Sequence, residues 1–454
     1  MKISIVGTGY VGLVTGVGLA SIGHEIVCVD VNAKKVKQIN NSQSPIYEKD
    51  LNELLKNVLE KKMFSATTNL SRAVQETEMT FIAVGTPSKK NNDIDLSYIK
   101  KVSTQIGSVL LKKKSYHTVI VKSTVTPETT LKVVLPLIEK YSKKKAGLEF
   151  GLCMNPEFLR EGNAVEDFMN PDRIVIGEYD KQSGDNLTEI YKKFQTNIIR
   201  TSLNNAEMIK YTNNALLATL ISFSNEIANI AEKIQGANAF DIFESIYLDK
   251  RLNPIINHKR VNPGILSYLR PGCGFGGSCF PKDVKALTYF SKKKKYSATL
   301  LTAVLDINKK QPLRLVKLAQ KKMGNLKNKN IAVLGIAFKP ETNDIRESPA
   351  IIIIKELIAK KANVFVYDPV VNSKNARAHF KNLKFIHSES LLEAVKNKDA
   401  CLIVTSWKEF EKLTPELMKK EMSNYILIDG RGFFNSKDFT GANYLGIGLG
   451  SVKE

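Results

Sequence analysis

The chain is short of the residues that build disulfide frameworks, metal centres and membrane spans. Its 454 residues include five cysteines, an odd number, and no two form a C-x-x-C pair. That argues against a disulfide scaffold or a zinc ribbon and for a reducing compartment. The five histidines never fall in H-x-x-x-H spacing, so no metal is expected. Apolar stretches such as 215–223 are interrupted long before the roughly 20 residues a bilayer requires. Residues 1–6 already read as a strand, which leaves no room for a signal peptide. The expectation is a cytoplasmic protein with no membrane partner. Acidic residues are also in deficit, 45 against 67 basic ones, for a formal net charge of +22. Such a charge suits nucleic acid, an anionic surface or a phosphorylated small molecule. No nucleic-acid-binding module or aromatic–basic interleaving occurs, so no nucleic-acid partner is expected. The lysine runs at 112–114, 143–145 and 292–295 read as solvated faces.

What remains is an ordinary globular balance, 43% hydrophobic and 25% charged, in a chain long enough for about three folding units of roughly 150 residues. Residues 2–6 (KISIV) are apolar and β-branched. A glycine turn, a small-residue stretch over 11–22 and a second strand over 25–30 follow. This is the opening of a βαβ unit. Strand-like runs at 79–84, 118–121, 149–154 and 173–177 alternate with helical patterns such as 50–61 and 96–111. Alternation of this kind predicts a largely parallel sheet covered by helices on both faces. Residues 204–234 contain neither Gly nor Pro and predict one long helix. It exceeds what a compact βαβ unit uses, which suits a connection between domains and a surface for a second subunit. Residues 250–282 are rich in Pro, Gly and Asn and read as a long functional loop. Strand–helix alternation restarts after 321, with strands at 331–335, 363–367, 400–405 and 425–429. The expected fold is α/β: two doubly wound, Rossmann-like domains joined by a long central helix, divided as 1–203, 204–320 and 321–454.

Gly7-Thr8-Gly9-Tyr10-Val11-Gly12 matches G-x-G-x-x-G between the first strand and the first helix, and Asp30 ends the second strand. Gly7 permits the tight turn, Gly9 lets a pyrophosphate approach, and Gly12 allows close helix–strand packing. Asp30 can accept from ribose hydroxyls and repels a 2′-phosphate, which favours NAD over NADP, although Lys35 lies close by. In the segment 272–283 (GCGFGGSCFPKD), a cysteine follows a glycine turn at a helix start, with Pro281 in the first turn. The helix N-terminus and Lys282 would both favour a thiolate. A thiolate in a dehydrogenase can attack an aldehyde, and the thiohemiacetal can then give up a hydride to become a thioester. Cys273 and Cys279 both lie in this loop and compete for the role, whereas Cys28, Cys153 and Cys401 sit in apolar strands as structural thiols. Lys210 and Asn214 stand four apart on the long helix, a possible oxyanion donor pair. Glu157 follows a strand and could act as a general base; the Lys122-Ser123-Thr124 segment follows another in the same way.

GTGYVG, GTPS (85–88), KSTV (122–125), NPEFLREG (155–162), NAEMIKYTNNA (205–215), YLRPGCGFGGSCFPKD (268–283) and FKPETNDIRES (338–348) run in order along nearly the whole chain. Together they resemble the UDP-glucose/GDP-mannose dehydrogenases. The FGGSCFPKD form is most similar to the UDP-glucose branch, with GDP-mannose as the alternative. The resemblance implies NAD-dependent, metal-free, four-electron oxidation of a sugar C6 alcohol to an acid. It selects Cys279 as nucleophile, Lys210 and Asn214 as oxyanion partners, Asp283 with Thr124 as holders of a water, and Glu157 as the residue serving thioester hydrolysis. It implies NAD contacts from Gly7, Gly9, Gly12, Val11, Asp30, Lys35, Thr86, Thr124, Glu161, Lys282 and Arg346. Nucleotide-sugar contacts would come from Glu157, Phe158, Leu159, Arg160, Glu161, Lys210, Asn214, Tyr268, Leu269, Arg270, Pro271, Gly272, Gly276, Lys339 and Arg431. It further implies a homodimer or higher homo-oligomer through the long helix, with Arg260 reaching the neighbour's sugar site. Two departures stand out: Thr126-Pro127-Glu128 follows KSTV where a glycine is frequent, and the 260–268 loop is longer than in many members.

Overall fold

A computed structural model describes residues 1–380, 383–439 and 443–450. The chain divides into two compact units, Met1–Asn213 and Asn214–Glu454.

The first unit is built on an eight-stranded sheet. Its strands are β1 (Lys2–Val6), β2 (Glu25–Val29), β3 (Phe64–Thr67), β4 (Met79–Ile82), β5 (Thr118–Val121), β6 (Gly151–Met154), β7 (Arg173–Glu178) and β8 (Asn197–Ser202). The order across the sheet is β3-β2-β1-β4-β5-β6-β7-β8. All pairs are parallel except β6 with β7. Helices cover both faces, so β4, β5 and β6 are buried at every position and read as mostly apolar runs, with Thr80 and Thr118 buried among them. The outer β8 is largely exposed, and its sequence NIIRTS carries no alternation that would announce a strand. The chain order reverses between β1 and β4. The loops after β1, β4, β5 and β6 therefore open into one crevice at the strand carboxyl ends, where such sheets bind ligands.

The second unit repeats the plan. Its strands β11 (Asn330–Leu334), β12 (Asn363–Tyr367), β13 (Ile386–His387), β14 (Ala400–Ile403), β15 (Leu427–Asp429) and β16 (Tyr444–Gly446) lie in the order β13-β12-β11-β14-β15-β16, all parallel. The first turn repeats too. Gly7 N donates to Val29 O at 2.7 Å in the first unit, and Gly335 N donates to Tyr367 O at 2.8 Å in the second. Asp368 directly follows β12 as Asp30 directly follows β2. Asp368, however, is buried and takes amide protons from Ile336, Ala337, Val370 and Val371 and the indole N–H of Trp407. Its oxygens are spent on the protein's own backbone.

One helix of 29 residues, Leu203–Ala231, runs from the first unit into the second. The loop at 250–282 is less irregular than its composition suggests. It holds a two-residue hairpin, β9 (Ile255–Ile256) with β10 (Lys259–Arg260), and a 3₁₀ turn over Gly264–Leu269. No described helix is long and apolar enough to cross a membrane.

Candidate active site

In the first unit the glycine turn has the shape expected of a dinucleotide cradle. Gly7 has φ +106°, and a Cβ there would lie 2.5 Å from Ala83 O. A Cβ on Gly12 would sit 1.9 Å from Gly7 O, so the helix can start this close to β1 only with glycine. Gly9 faces open space, which leaves its backbone accessible to a phosphate at the N-terminus of the helix Tyr10–Ser21. These residues fit NAD. Asp30 is tied to this turn: its Oδ2 accepts from Thr8 N at 3.1 Å and Thr8 Oγ1 at 2.5 Å, and its Oδ1 from Asn32 N at 2.9 Å. Burial raises its pKa, but the hydrogen bonds from Thr8 and Asn32, with Lys35 nearby, outweigh it and hold the carboxyl below its usual value. Thr86 Oγ1 donates to Thr124 O at 2.8 Å, joining the loops after β4 and β5.

Glu157 and Lys210 form a buried ion pair, with Oε1 3.0 Å from Nζ and both side chains about 5% exposed. The other Glu157 oxygen accepts from Leu159 N at 2.6 Å. Two cations approach the Phe158 ring, the Arg173 guanidinium 4.1 Å and Lys210 Nζ 5.6 Å from its centre. Arg160 is committed to Asp167 through both its guanidinium and its backbone N–H. A contact invisible in sequence holds this loop: buried Glu48 accepts from Gly162 N and Ala164 N, each at 2.7 Å, and from the hydroxyl of Tyr10 inside the glycine motif.

In the second unit, Cys279 is the N-cap of the helix Phe280–Lys293, with Pro281 in the first turn. It is the one cysteine of five that is not buried. Asp283, one turn on, is buried and accepts from Asn214 Nδ2 at 2.7 Å, while its N–H closes onto Cys279 O at 2.8 Å. Lys282 bonds the Asp283 carboxylate. Cys273 is corrected as a rival: it is fully buried, donates to Gly430 O at 3.3 Å, and burial pushes its thiol up to about 11. The glycines between the two thiols bind the loop to residues 338–348. Gly277 N donates to Arg346 O at 2.9 Å, and a Cβ on Gly276 would lie 2.5 Å from Glu347 O.

A cavity of about 450 Å³ opens beside this loop, lined by Arg270, Pro271, Gly274, Lys339, Thr405 and Arg431 among others. It lies at the carboxyl ends of β11 and β14, the point where the second sheet's order reverses. Arg431 is fixed by bonds to Val404 O and Gly274 O, and Asp429 accepts from its backbone N–H. Arg270 donates to Gly432 O at 2.6 Å. Gly272 is held at both ends, its N–H by Asn225 and its carbonyl by Gln311. Leu269 is buried and its carbonyl accepts from Tyr247; Tyr268 lies 6.2 Å, ring to ring, from Phe280. Arg260 lies on the hairpin, and its guanidinium donates to Leu248 O and Asn253 O of its own loop. Arg346 is paired with Asp344. Glu48 and Asp429 were not singled out from sequence as site residues, and Lys122 was named only within the Lys122-Ser123-Thr124 segment at a strand end. Only the place of Asp429 at a strand end could have signalled it.

Family models match the chain in three pieces. They describe the NAD binding, central and UDP binding domains of the UDP-glucose/GDP-mannose dehydrogenase family, over residues 1–195, 204–310 and 332–436 respectively. The chain is 39% identical over 436 residues to the UDP-glucose 6-dehydrogenase AglM of Haloferax volcanii, covering 95% of this chain and 96% of that protein. It is 40% identical over 431 residues to a GDP-mannose 6-dehydrogenase of Pseudomonas syringae, covering 92% and 94%. The solved UDP-glucose dehydrogenase of Pyrobaculum islandicum superposes with a TM-score of 0.89 at 34% identity, over 98% of this chain and 97% of its own.

Proposed function

The chain belongs to the UDP-glucose/GDP-mannose dehydrogenase family, an NAD-dependent group of nucleotide-sugar oxidoreductases, and from that premise we propose that it oxidises UDP-glucose to UDP-glucuronate. The observation that carries the mechanism is Cys279, the sole unburied thiol, capping a helix whose Asp283 is bound to Asn214.

The first oxidation turns the C6 alcohol into an aldehyde. Cys279 Sγ then adds to the aldehyde carbon, giving a thiohemiacetal. Loss of a second hydride yields a thioester on Cys279, and water releases the acid and frees the thiol. The sum is one alcohol, one water and two NAD⁺ giving one carboxylic acid, two NADH and two protons. NAD, when bound, supplies the hydride-accepting chemistry; Gly7, Gly9, Val11, Gly12, Asp30, Lys35, Thr86, Thr124, Glu161, Lys282 and Arg346 would hold it. Lys210 and Asn214 stabilise negative charge on the reacting oxygen. Thr124 and Asp283 hold a water, and Glu157 takes its proton during hydrolysis. The residues 157–161 and 268–272, with Gly276, Lys339 and Arg431, hold the nucleotide sugar. The three-part division at 203 and 320 follows this assignment of roles. Phe280 and the match to a UDP binding domain support uridine as the base. A homodimer or higher oligomer belongs to the same reading, and the exposed Met208, Leu216, Phe223 and Ile230 of the long helix support it.

The test is NADH formed from limiting UDP-glucose, beside parallel reactions with GDP-mannose and other nucleotide sugars. Two NADH per UDP-glucose, and little from the rest, are expected. One NADH per sugar would remove the thioester stage and Cys279 with it. Turnover of GDP-mannose alone would keep the chemistry and reassign the substrate. Cys279→Ser is expected to abolish complete turnover, because a serine ester deacylates slowly.

A further inference from the structure

Gly272 and Phe275 lie in the turn that leads from the 268–272 segment to Cys279, and each has both of its peptide groups bound by side-chain amides. The Gly272 N–H donates to Asn225 Oδ1 at 2.8 Å, and Gln311 Nε2 donates to the Gly272 carbonyl at 2.9 Å. The Phe275 N–H donates to Asn308 Oδ1 at 2.7 Å, and Asn308 Nδ2 donates back to the Phe275 carbonyl at 3.0 Å. The amides come from two helices. Asn225 lies on the long helix, while Asn308 and Gln311 stand three apart at the end of the helix Thr299–Lys310. Asn229, one turn after Asn225, donates to Gln311 Oε1 at 3.0 Å and so fixes which end of that amide meets Gly272. Asn225 and Gln311 are at most 1% exposed. Gly274 has φ +93°, and a Cβ there would lie 2.6 Å from Asn308 Oδ1, so the turn closes over this amide only with glycine. In a turn that faces water, the solvent answers such peptide groups. Here neutral side chains take the place of a neighbouring strand.

We propose that Asn308 is a positioning residue for the nucleotide sugar: with Asn225 and Gln311 it holds the 272–275 turn in its binding shape before any ligand arrives. The proposal rests on the reading of 268–272, Gly276 and Arg431 as the nucleotide-sugar site. The turn joins those contacts. Arg431 donates to Gly274 O at 3.2 Å, and Gly276 follows Phe275 directly. A loop that is already fixed avoids an ordering cost on binding, so loss of the clasp weakens the ligand.

The test is calorimetric binding of UDP-glucose, without NAD, to the parent, Asn308→Leu and Asn308→Asp between pH 5 and 8. Leucine has a similar volume and no polar atom, and it should weaken binding by on the order of tenfold at every pH. Aspartate differs from asparagine only in the group that meets the Phe275 carbonyl. Ionised, it sets a second acceptor against that carbonyl; protonated, it donates as the amide does. The facing carbonyl and partial burial both favour the protonated form of the new carboxyl. Its affinity relative to the parent's should therefore rise several-fold from pH 8 to pH 5. The charged groups around this position are Arg431 across the turn, the exposed Asp306, Lys309 and Lys310 of the same helix and the exposed Glu226 of the long helix. Asn308→Leu meets them with no charge, which separates their pull from the loss of the clasp. Parent-like binding by Asn308→Leu would overturn the proposal, and so would an Asn308→Asp ratio that is flat with pH. Should the variants fail to fold, hydrogen exchange of the parent decides. The Gly272 and Phe275 amides should be protected without ligand, and exchange at the rate of an open loop would overturn the clasp. A parent that binds no UDP-glucose would refute the proposed substrate instead, and the exchange measurement, which needs no ligand, would still decide the role of Asn308.

Discussion

Glu207 offers a stability prediction that is independent of the chemistry. It lies in the second turn of the long helix, with no exposed surface. Its Oε1 accepts from Thr130 N and Thr130 Oγ1, each at 2.7 Å, while its Oε2 is buried without a hydrogen-bond partner. Burial raises its pKa, the Thr130 bonds only partly offset this, and the result is about 7 against an ordinary 4.5. A carboxyl whose pKa rises on folding gives stability that is complete below its unfolded pKa and lost as pH climbs through the folded one. The window is therefore about pH 4.5 to 7. A shift of about 2.5 units corresponds to ~3 kcal/mol. Glu207→Gln removes the ionisation but keeps an acceptor for Thr130, and its amide occupies the place of the protonated oxygen. Near pH 5, just inside the window, parent and variant should differ by under about 1 kcal/mol. At pH 8 the variant should be the more stable by ~3 kcal/mol. For a unit of about 200 residues that is a midpoint gain of about 6–12 °C. Scanning calorimetry of both proteins at pH 5, 6, 7 and 8 makes the comparison. A gap that stays constant with pH, or a parent that is more stable at pH 8, would refute the reasoning.

Other expectations concern the site. Gly7→Ala forces a side chain into a positive-φ position against Ala83 O, so NAD binding by calorimetry should be lost and the midpoint lowered; parent-like affinity would contradict the cradle. Asp30→Asn removes the charge facing the ribose, so the ratio of kcat/KM for NAD over NADP should fall several-fold, and an unchanged ratio would exclude Asp30 from cofactor choice. Iodoacetamide on the folded protein should label Cys279 and spare the buried Cys28, Cys153, Cys273 and Cys401, as read by peptide mass spectrometry. Labelling of Cys273 first would reopen its claim as the nucleophile.

The sequence carried the two α/β halves because their strands are buried on both faces. Runs such as 119–121 and 400–404 are apolar without interruption and are bordered by polar residues. The missed strands are those for which this signal fails. β3 has four residues of mixed burial, β8 is exposed and polar, β9, β10 and β13 have two residues each, and β16 has three. Strand ends ran long in sequence, at 79–84 and 400–405, because apolar residues continue into the loops that turn toward the crevice.

Much of the site was legible for the same reason: its chemistry is carried by contiguous segments. G-x-G-x-x-G needs no partner to be recognised, since each glycine answers a local steric demand. The family resemblance chose Cys279 over Cys273; the physical difference between them, one thiol at a helix cap and the other sealed against Gly430, exists only after folding. The pairings lay further out of reach. Glu157 with Lys210, Lys122 with Asn155, Glu207 with Thr130 and Glu48 with Gly162 join residues 33 to 114 positions apart. Local sequence determined which groups were available, through periodicity, turns and caps. Tertiary packing decided which charges lost their water and which partner replaced it, because desolvation depends on the whole shell around a group and not on its neighbours along the chain.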